Sequence, residues 1–307
     1  MPPVFAPKSG NFRDPKAPVP RITVVDKLEV RRSVGASSVK AIHGFKPAEV
    51  ERAPVRQTGR KTSKVKETVE RDPRSLFEIS TVGNPSQYPY CAVGLVHWIY
   101  LTSDVAEYMN VYATAVLVGS NFILTTSSVI PMGVDVVSAV FYPAYNNGSD
   151  PYGFANIIGG YVYPSPNSPQ NNYGVLQLDS DIGNSTGWMG AQSFPDDGPY
   201  ANNVFNSIGY PDGNGQVEAT DIEIYSVEDY EGSKEMDTPV FASGSWIGGP
   251  FWNLGENINQ VEVTLEANTP YVVGVLAGTS NDGTTDAVAG GVDMINLIFY
   301  AIDNWSN

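Results

Sequence analysis

The residues best suited to chemistry surround a Gly-Gly-Pro turn near position 250. Residues 243–251 read Ser-Gly-Ser-Trp-Ile-Gly-Gly-Pro-Phe. A serine hydroxyl in such a turn can attack a carbonyl when a base takes its proton and backbone N–H groups hold the oxyanion. Ser243 is therefore a candidate nucleophile, whereas Ile247, directly before the two glycines, has no atom that can attack.

Side chains that could serve as a base or bind a metal are scarce. The histidines are His43 and His97, and Lys234 is the only lysine or arginine after residue 74. His97 falls in a predicted strand, and the acidic neighbours of Lys234 indicate an exposed acidic loop, although a Ser243–Lys234 dyad stays conceivable. With Cys91 as the only cysteine, the sequence predicts no disulfide and no zinc site. No phosphate-binding glycine loop with its lysine occurs, so we expect no metal and no cofactor.

Most of the chain after residue 80 has the pattern of antiparallel β-structure. Short apolar or alternating runs recur between Gly, Asn, Asp, Ser and Pro residues, which is typical of strands separated by turns. These runs are residues 92–100, 112–118, 122–126, 134–141, 157–162, 175–178, 204–209, 217–225, 260–265 and 271–277. The last segment differs, because Asp293 could cap a helix over residues 294–303 with apolar residues on one face.

Six pieces of this pattern, in order, resemble the trypsin-like serine proteases, and specifically the glutamyl-endopeptidase-like branch. They include "A-T-A-V-L-V-G-S-N-F-I-L-T-T-S-S-V-I", "N-N-Y-G-V-L-Q-L" and "G-G-P-F-W", and they span residues 113–130, 141–153, 171–178, 206–211, 248–252 and 272–275. The resemblance implies an all-β domain of two six-stranded antiparallel β-barrels with a C-terminal helix, preceded by an extended basic N-terminal arm.

The resemblance also assigns the positions of a catalytic triad, and all three have changed. The histidine base of the family falls at Ser128, its aspartate at Asn172 and its serine at Ile247. Ser128 cannot accept a proton at neutral pH, and Asn172 cannot stabilise an imidazolium by charge. These positions predict a catalytically inactive pseudoprotease. An alternative register makes Ser243 the nucleophile, but it still lacks a base.

Charge divides the chain into two unlike parts. Residues 1–74 hold 17 of the 18 basic and 8 of the 33 acidic residues, a net charge of +9, and the remainder has a net charge of −24. The first part is rich in proline and poor in aromatic residues, so it cannot bury enough apolar surface to fold alone. We therefore predict a basic arm over residues 1–80 and an acidic domain over residues 81–307. Within the arm, residues 21–30 could form a strand and residues 63–70 a short helix.

The basic residues of the arm form the predicted partner-binding surface. They are Arg21, Lys27, Arg31, Arg32, Arg52, Arg56, Arg60, Lys61, Lys64 and Lys66. The arm lacks the dense arginine runs and interleaved aromatics of a dedicated RNA binder, so the sequence favours an acidic protein surface over nucleic acid. A propeptide lying on its own domain is a third interpretation.

These features predict a structural or adaptor protein. Its arm would anchor it to a larger protein assembly, and the architecture resembles that of a protein on a viral capsid surface. The first residues do not read as a secretion signal and no apolar run spans a bilayer, so we expect an intracellular or virion-associated protein with no membrane contact. The alternatives are a serine endopeptidase that retains its propeptide and a nucleic-acid-associated protein that binds through the arm.

Overall fold

The computed structural model describes residues 18–34, 41–54, 77–102, 107–164, 171–255, 269–279 and 283–305. The strands in these ranges are β1 (Arg21–Val24), β2 (Glu78–Thr81), β3 (Val93–Leu101), β4 (Tyr108–Leu117), β5 (Phe122–Thr125), β6 (Asp135–Pro143), β7 (Ala155–Val162), β8 (Gly174–Leu178), β9 (Gly190–Ala191), β10 (Val204–Gly209), β11 (Val217–Glu223), β12 (Ser226–Tyr230), β13 (Ser233–Pro239), β14 (Pro250–Leu254), β15 (Pro270–Thr279) and β16 (Thr285–Gly290). The helices are α1 (Lys27–Val34), α2 (Gly183–Thr186), α3 (Gly198–Ala201) and α4 (Val292–Trp305).

The first half of the domain is a closed antiparallel barrel. Strands β3, β4, β5, β8, β7 and β6 pair in that order, and β6 pairs with β3 to close the ring. Val, Ile, Leu and Ala supply most of the buried positions of these strands, because branched and small side chains fill a barrel of this size. The closed barrel confirms the all-β class expected from the sequence.

The second half is a nine-stranded sheet that continues into the C-terminal helix. Its main path runs β12-β13-β16-β15-β14-β10-β11-β2, and β9 pairs beside β15. Among the described residues these pairings do not close a second ring, so the expected pair of six-stranded barrels becomes one barrel and one larger sheet. No helix in the described ranges is long and apolar enough to cross a membrane.

The predicted elements agree with the observed ones to within a few residues. The predicted run 204–209 is β10 itself, and the predicted helix 294–303 lies within α4. The predicted strand over residues 260–265 and the predicted helix over residues 63–70 lie outside the described residues.

The described part of the arm is folded onto the domain. β1 pairs in parallel with β7, from Arg21 opposite Gly159 to Val24 opposite Val162, and occupies the part of that edge that β6 leaves open. The predicted strand over residues 21–30 is therefore right for β1 and wrong beyond it, since residues from Lys27 onwards form α1. Further along the arm, Ile42 and Phe45 form β-bridges with Ala191 and Trp188.

Two hydrophobic cores hold these elements together. The larger core fills the barrel and the seam below it and includes Trp98, Tyr210 and Trp252. It also takes in Val25 and Val30 from the arm and Ile298 from α4, so the arm and the last helix complete the same core. The smaller core lies in the second sheet around Trp246 and Met236.

Candidate active-site cleft and the docked arm

The position that the sequence aligns with the catalytic aspartate holds a buried amide at the seam between the two halves. Asn172 is 6% exposed. Its Oδ1 accepts hydrogen bonds from Thr126 Oγ1 at 2.5 Å, Ser127 Oγ at 3.0 Å and the Ser128 N–H at 2.9 Å. Its Nδ2 donates to the Ala277 carbonyl at 3.1 Å, across the seam. The amide thus uses both its acceptor and its donor to connect the β5 end of the barrel with β15.

Ser128 lies beside this amide, as the alignment of the triad requires. It belongs to a short 3₁₀ turn, residues 127–129, directly after β5. Its backbone is fixed by Asn172, while its side chain is exposed and its Oγ lies 3.0 Å from Thr126 Oγ1. A hydroxyl here has no basic lone pair near neutral pH, so this position cannot deprotonate a nucleophile.

Ile247 completes the trio and is held by the backbone around it. Its carbonyl accepts a hydrogen bond from the Thr114 N–H at 2.9 Å. The next residue, Gly248, has φ of +88°, and a Cβ there would collide with Thr114 O and Thr125 Oγ1. Only glycine fits this close approach, which seats Ile247 next to the segment that carries Ser128. The three predicted positions therefore hold an alkyl, a hydroxyl and an amide side chain, and two of them, Ser128 and Asn172, are in direct contact.

The backbone that would stabilise an oxyanion is partly engaged elsewhere. In a Ser-His-Asp protease the N–H groups of the nucleophile and of the residue two positions before it form the oxyanion hole. The corresponding residues here are Ile247 and Ser245, and the Ser245 N–H donates to the Pro211 carbonyl at 3.3 Å. Trp246 between them is buried and donates from Nε1 to Ser207 Oγ at 3.1 Å, which fixes the turn in this conformation.

The alternative nucleophile, Ser243, is exposed and precedes the 3₁₀ turn of residues 244–246. The prediction that Lys234 lies in an exposed acidic loop is wrong, because Lys234 sits in β13 and is 5% exposed. Its Nζ binds Asp197 at 2.7 Å and also binds Asp229. Burial opposes the charge, but these two carboxylates outweigh it and raise the pKa of Lys234, so the amine stays protonated.

His97 also lacks a contact with Ser243 among the described residues. It lies on β3, with Nε2 3.0 Å from Asn110 Oδ1 and its ring stacked on Tyr112 at 4.5 Å between centroids. Burial lowers its pKa, and the bond to Asn110 opposes this shift only in part. These contacts with Asn110 and Tyr112 support the interpretation of His97 as a packed strand residue.

The single cysteine does not supply a nucleophile in its place. Cys91 is fully buried, and its thiol donates to the Thr186 carbonyl at 3.0 Å. Burial raises the pKa of Cys91 to about 12, so the thiolate is scarce at neutral pH. In the described ranges, no group of three His, Cys, Asp or Glu side chains is arranged to hold a metal ion.

A second polar centre lies where the arm meets the C-terminal helix. Asp293, in the first turn of α4, is completely buried. Lys27 Nζ lies 2.9 Å from its Oδ2, and Arg31 reaches both carboxylate oxygens, with Nη2 at 2.9 Å from Oδ1 and 3.0 Å from Oδ2. The predicted capping role of Asp293 thus gives way to an ion-pair role, because its carboxylate faces α1.

The surrounding residues satisfy the rest of this centre. Ser233 Oγ lies 3.3 Å from Asp293 Oδ2 and also accepts a hydrogen bond from Lys27 at 2.9 Å. Tyr163 donates to the Asp293 carbonyl at 2.9 Å, and Arg31 also binds the Glu231 carbonyl. A buried carboxylate with two cations and further hydrogen bonds is the arrangement in which an ion pair survives desolvation.

The other predicted partner-binding residues fall into three groups. Arg21 is in β1 and pairs with the barrel through its backbone, and Arg52 lies 5.5 Å from the centre of the Tyr88 ring. Arg32 is exposed on α1. The remaining five, Arg56, Arg60, Lys61, Lys64 and Lys66, lie outside the described residues.

Comparison with known proteins supports the fold and gives no closer identification. No protein-family model matches the sequence, and no curated protein matches it. A solved Glu endopeptidase is similar over 73% of this chain and 95% of its own, with 19% identity and a TM-score of 0.52. The protease Anisep from Arthrobacter nicotinovorans gives 14% identity over 70% and 93%, with a TM-score of 0.48. The chain therefore has the fold of the trypsin-like serine proteases.

Proposed function

We propose that this domain is a pseudoprotease that does not hydrolyse peptides and acts as a structural or adaptor module. The observation that carries the proposal is the hydrogen bonding of Asn172. Its Oδ1 already accepts three bonds and its Nδ2 holds the Ala277 carbonyl, so the amide is committed to the seam. With serine at position 128 and isoleucine at position 247, the three triad positions supply neither a base nor a nucleophile.

Kinetic measurements test the inactive cleft. We expect the full-length chain to turn over glutamyl and other peptide substrates no faster than buffer, and to resist a serine-directed fluorophosphonate. Ser243→Ala should leave both results unchanged, as should the matched control Ser245→Ala. Labelling of Ser243, or a slow activity that Ser243→Ala abolishes and Ser245→Ala retains, would contradict the proposal and support an endopeptidase.

A reversion variant is a stronger test of the same cleft. The triple substitution Ser128→His, Asn172→Asp and Ile247→Ser rebuilds the side chains of a triad. We expect turnover well below that of a protease with an intact triad, because the Ser245 N–H stays on Pro211 and a carboxylate at position 172 cannot donate to Ala277. Loss of one oxyanion donor alone costs about 10²–10³-fold in rate. Substantial activity in the triple variant would show that the three triad side chains are all that the cleft lacks for catalysis.

The adaptor role rests on the charge division between arm and domain. Lys27 and Arg31 bind Asp293 of the same chain, so they belong to the fold. Arg56, Arg60, Lys61, Lys64 and Lys66 therefore carry the proposed anchor to a larger, acidic protein assembly. A capsid surface is one such assembly.

A capture experiment with the full chain tests the anchor. Changing those five residues to glutamine keeps β1, α1 and the Asp293 centre intact. We expect a stoichiometric protein partner from the native source to be retained after nuclease treatment by the wild type and lost by the quintuple variant. Retention by the quintuple variant would refute the anchor, and loss on nuclease treatment would favour nucleic-acid association.

A further inference from the structure

An open pocket of about 640 Å³ lies away from the degenerate triad. It forms where four parts of the chain meet: the arm at Ile42 and His43, the turn between β4 and β5, the segment around α2 with Asp181 and Trp188, and the last turn of α4. None of Ser128, Asn172 or Ile247 lines it. The pocket is therefore distinct from the cleft that the fold would use for peptide substrates.

Three of the residues that line the pocket, Phe122, Trp188 and Trp305, are aromatic, and specific contacts hold them in place. Trp305 stacks on Tyr161 with 3.9 Å between ring centroids and lies nearly parallel to Phe122. Trp188 packs on Phe45 at 4.6 Å, and its Nε1 donates to the His43 carbonyl at 3.1 Å. Each indole ring is thus fixed by an aromatic neighbour, and both rings line the pocket with their electron-rich π-systems.

One carboxylate stands at the edge of these walls. Asp181 is exposed and lines the pocket, and its Oδ1 accepts a hydrogen bond from Ser120 Oγ at 2.8 Å. No lysine or arginine is among the lining residues, and no cation contacts Asp181 in the described part of the chain. A carboxylate accepts about four hydrogen bonds, so this one keeps most of its capacity.

We propose that this pocket binds an arginine side chain of a protein partner. A guanidinium matches a carboxylate with two parallel N–H donors and stacks on indole rings, whereas an ammonium does only part of this. The aliphatic stem of the arginine would lie along Ile42 and Ile302, which also line the pocket. The net charge of −24 after residue 74 attracts a basic partner to this surface.

Titration of the full-length protein with Nα-acetyl-arginine methylamide tests the site. The readout is the set of indole ¹H–¹⁵N resonances, with Trp188→Phe and Trp305→Phe used to assign their peaks. We expect shifts confined to these two indoles and a Kd on the order of 1 mM. The citrulline analogue, which has the same shape without the charge, should bind at least about tenfold more weakly.

Two variants separate the site from general attraction to an acidic protein. Asp181→Asn keeps an acceptor for Ser120 and should weaken binding about tenfold or more, whereas Asp303→Asn removes one exposed charge outside the lining and should leave it unchanged. The proposal would be overturned if the citrulline analogue, or the corresponding lysine analogue, bound as tightly as the arginine probe. It would also be overturned by full affinity in Asp181→Asn, or by the absence of indole shifts at a probe concentration about 50-fold above the expected Kd. If free arginine bound more tightly than the blocked probe, the ligand would be the free amino acid and not an arginine residue of a protein.

Discussion

Replacing Lys27 and Arg31 together with methionine is expected to destabilise the folded chain by about 3–5 kcal/mol at pH 7. The cause is Asp293, which is fully buried and would lose both of the cations that pair with it. Methionine retains the helix propensity and much of the aliphatic stem, so α1 itself should still form. The cost therefore measures the uncompensated charge and not the loss of a helix.

Urea unfolding of the full-length chain, followed by tryptophan fluorescence, measures this effect. Arg32→Met on the same helix is exposed and should change the unfolding free energy by no more than about 0.5 kcal/mol. Adding Asp293→Asn to the double variant should recover much of the loss, because it removes the buried charge. A double variant as stable as the wild type would show that the centre contributes nothing to the fold.

This ion-pair centre changes how the arm can be studied. Deleting residues 1–74 removes β1, α1 and the segment that contributes Ile42 to the core, along with any partner-binding residues. A deleted chain that loses its partner could have lost its structure instead. Substitutions within the full chain are the cleaner test of the anchor.

Asn172→Ala is expected to cost about 2–4 kcal/mol, the second largest effect. The substitution removes four hydrogen bonds at once and leaves Thr126, Ser127, the Ser128 N–H and the Ala277 carbonyl without this partner. Buried polar groups left unpaired cost about 1–3 kcal/mol each before the structure relaxes. The loss falls on the seam between barrel and sheet, so both halves should be affected.

Hydrogen exchange and urea unfolding together measure this effect. Protection of amides in β5 and β15 should fall along with the global stability, whereas exposed Asn184→Ala should change neither. Asn172→Asp provides the informative comparison, because it keeps the acceptor and loses the donor to Ala277. If Asn172→Asp and the wild type were equally stable, the bond to Ala277 would have no role in holding the seam.

The strands could be predicted from the sequence because local patterns encode them. Alternating and apolar runs specify strands without reference to distant residues, and the Gly248-Gly249 pair marks a place where backbones must come close. The adjacency of Ser128 and Asn172 followed from the resemblance and is confirmed by the hydrogen bond between them.

The role of Asp293 could not be predicted, because it depends on contacts between distant parts of the chain. An aspartate directly before an apolar helix is typical of a helix cap. The partners of Asp293 in the structure are instead Lys27 and Arg31, far away in the sequence. The spacing of Lys27 and Arg31 by four residues was the available signal, since it places both cations on one helical face. Lys234 was misplaced for a related reason: its acidic neighbours indicated exposure, but Asp197 and Asp229 neutralise it within the fold.

The ion-pair centre also sets an order of events during biosynthesis. Arg31 and Asp293 are 262 residues apart, and the arm leaves the ribosome first. At about 5–20 residues per second, Asp293 is made roughly 13–52 s after Arg31. A chain that stops short of Asp293 leaves Lys27 and Arg31 without this partner. Cleavage after these two residues by a protease specific for basic residues should therefore be faster in unfinished molecules than in complete ones.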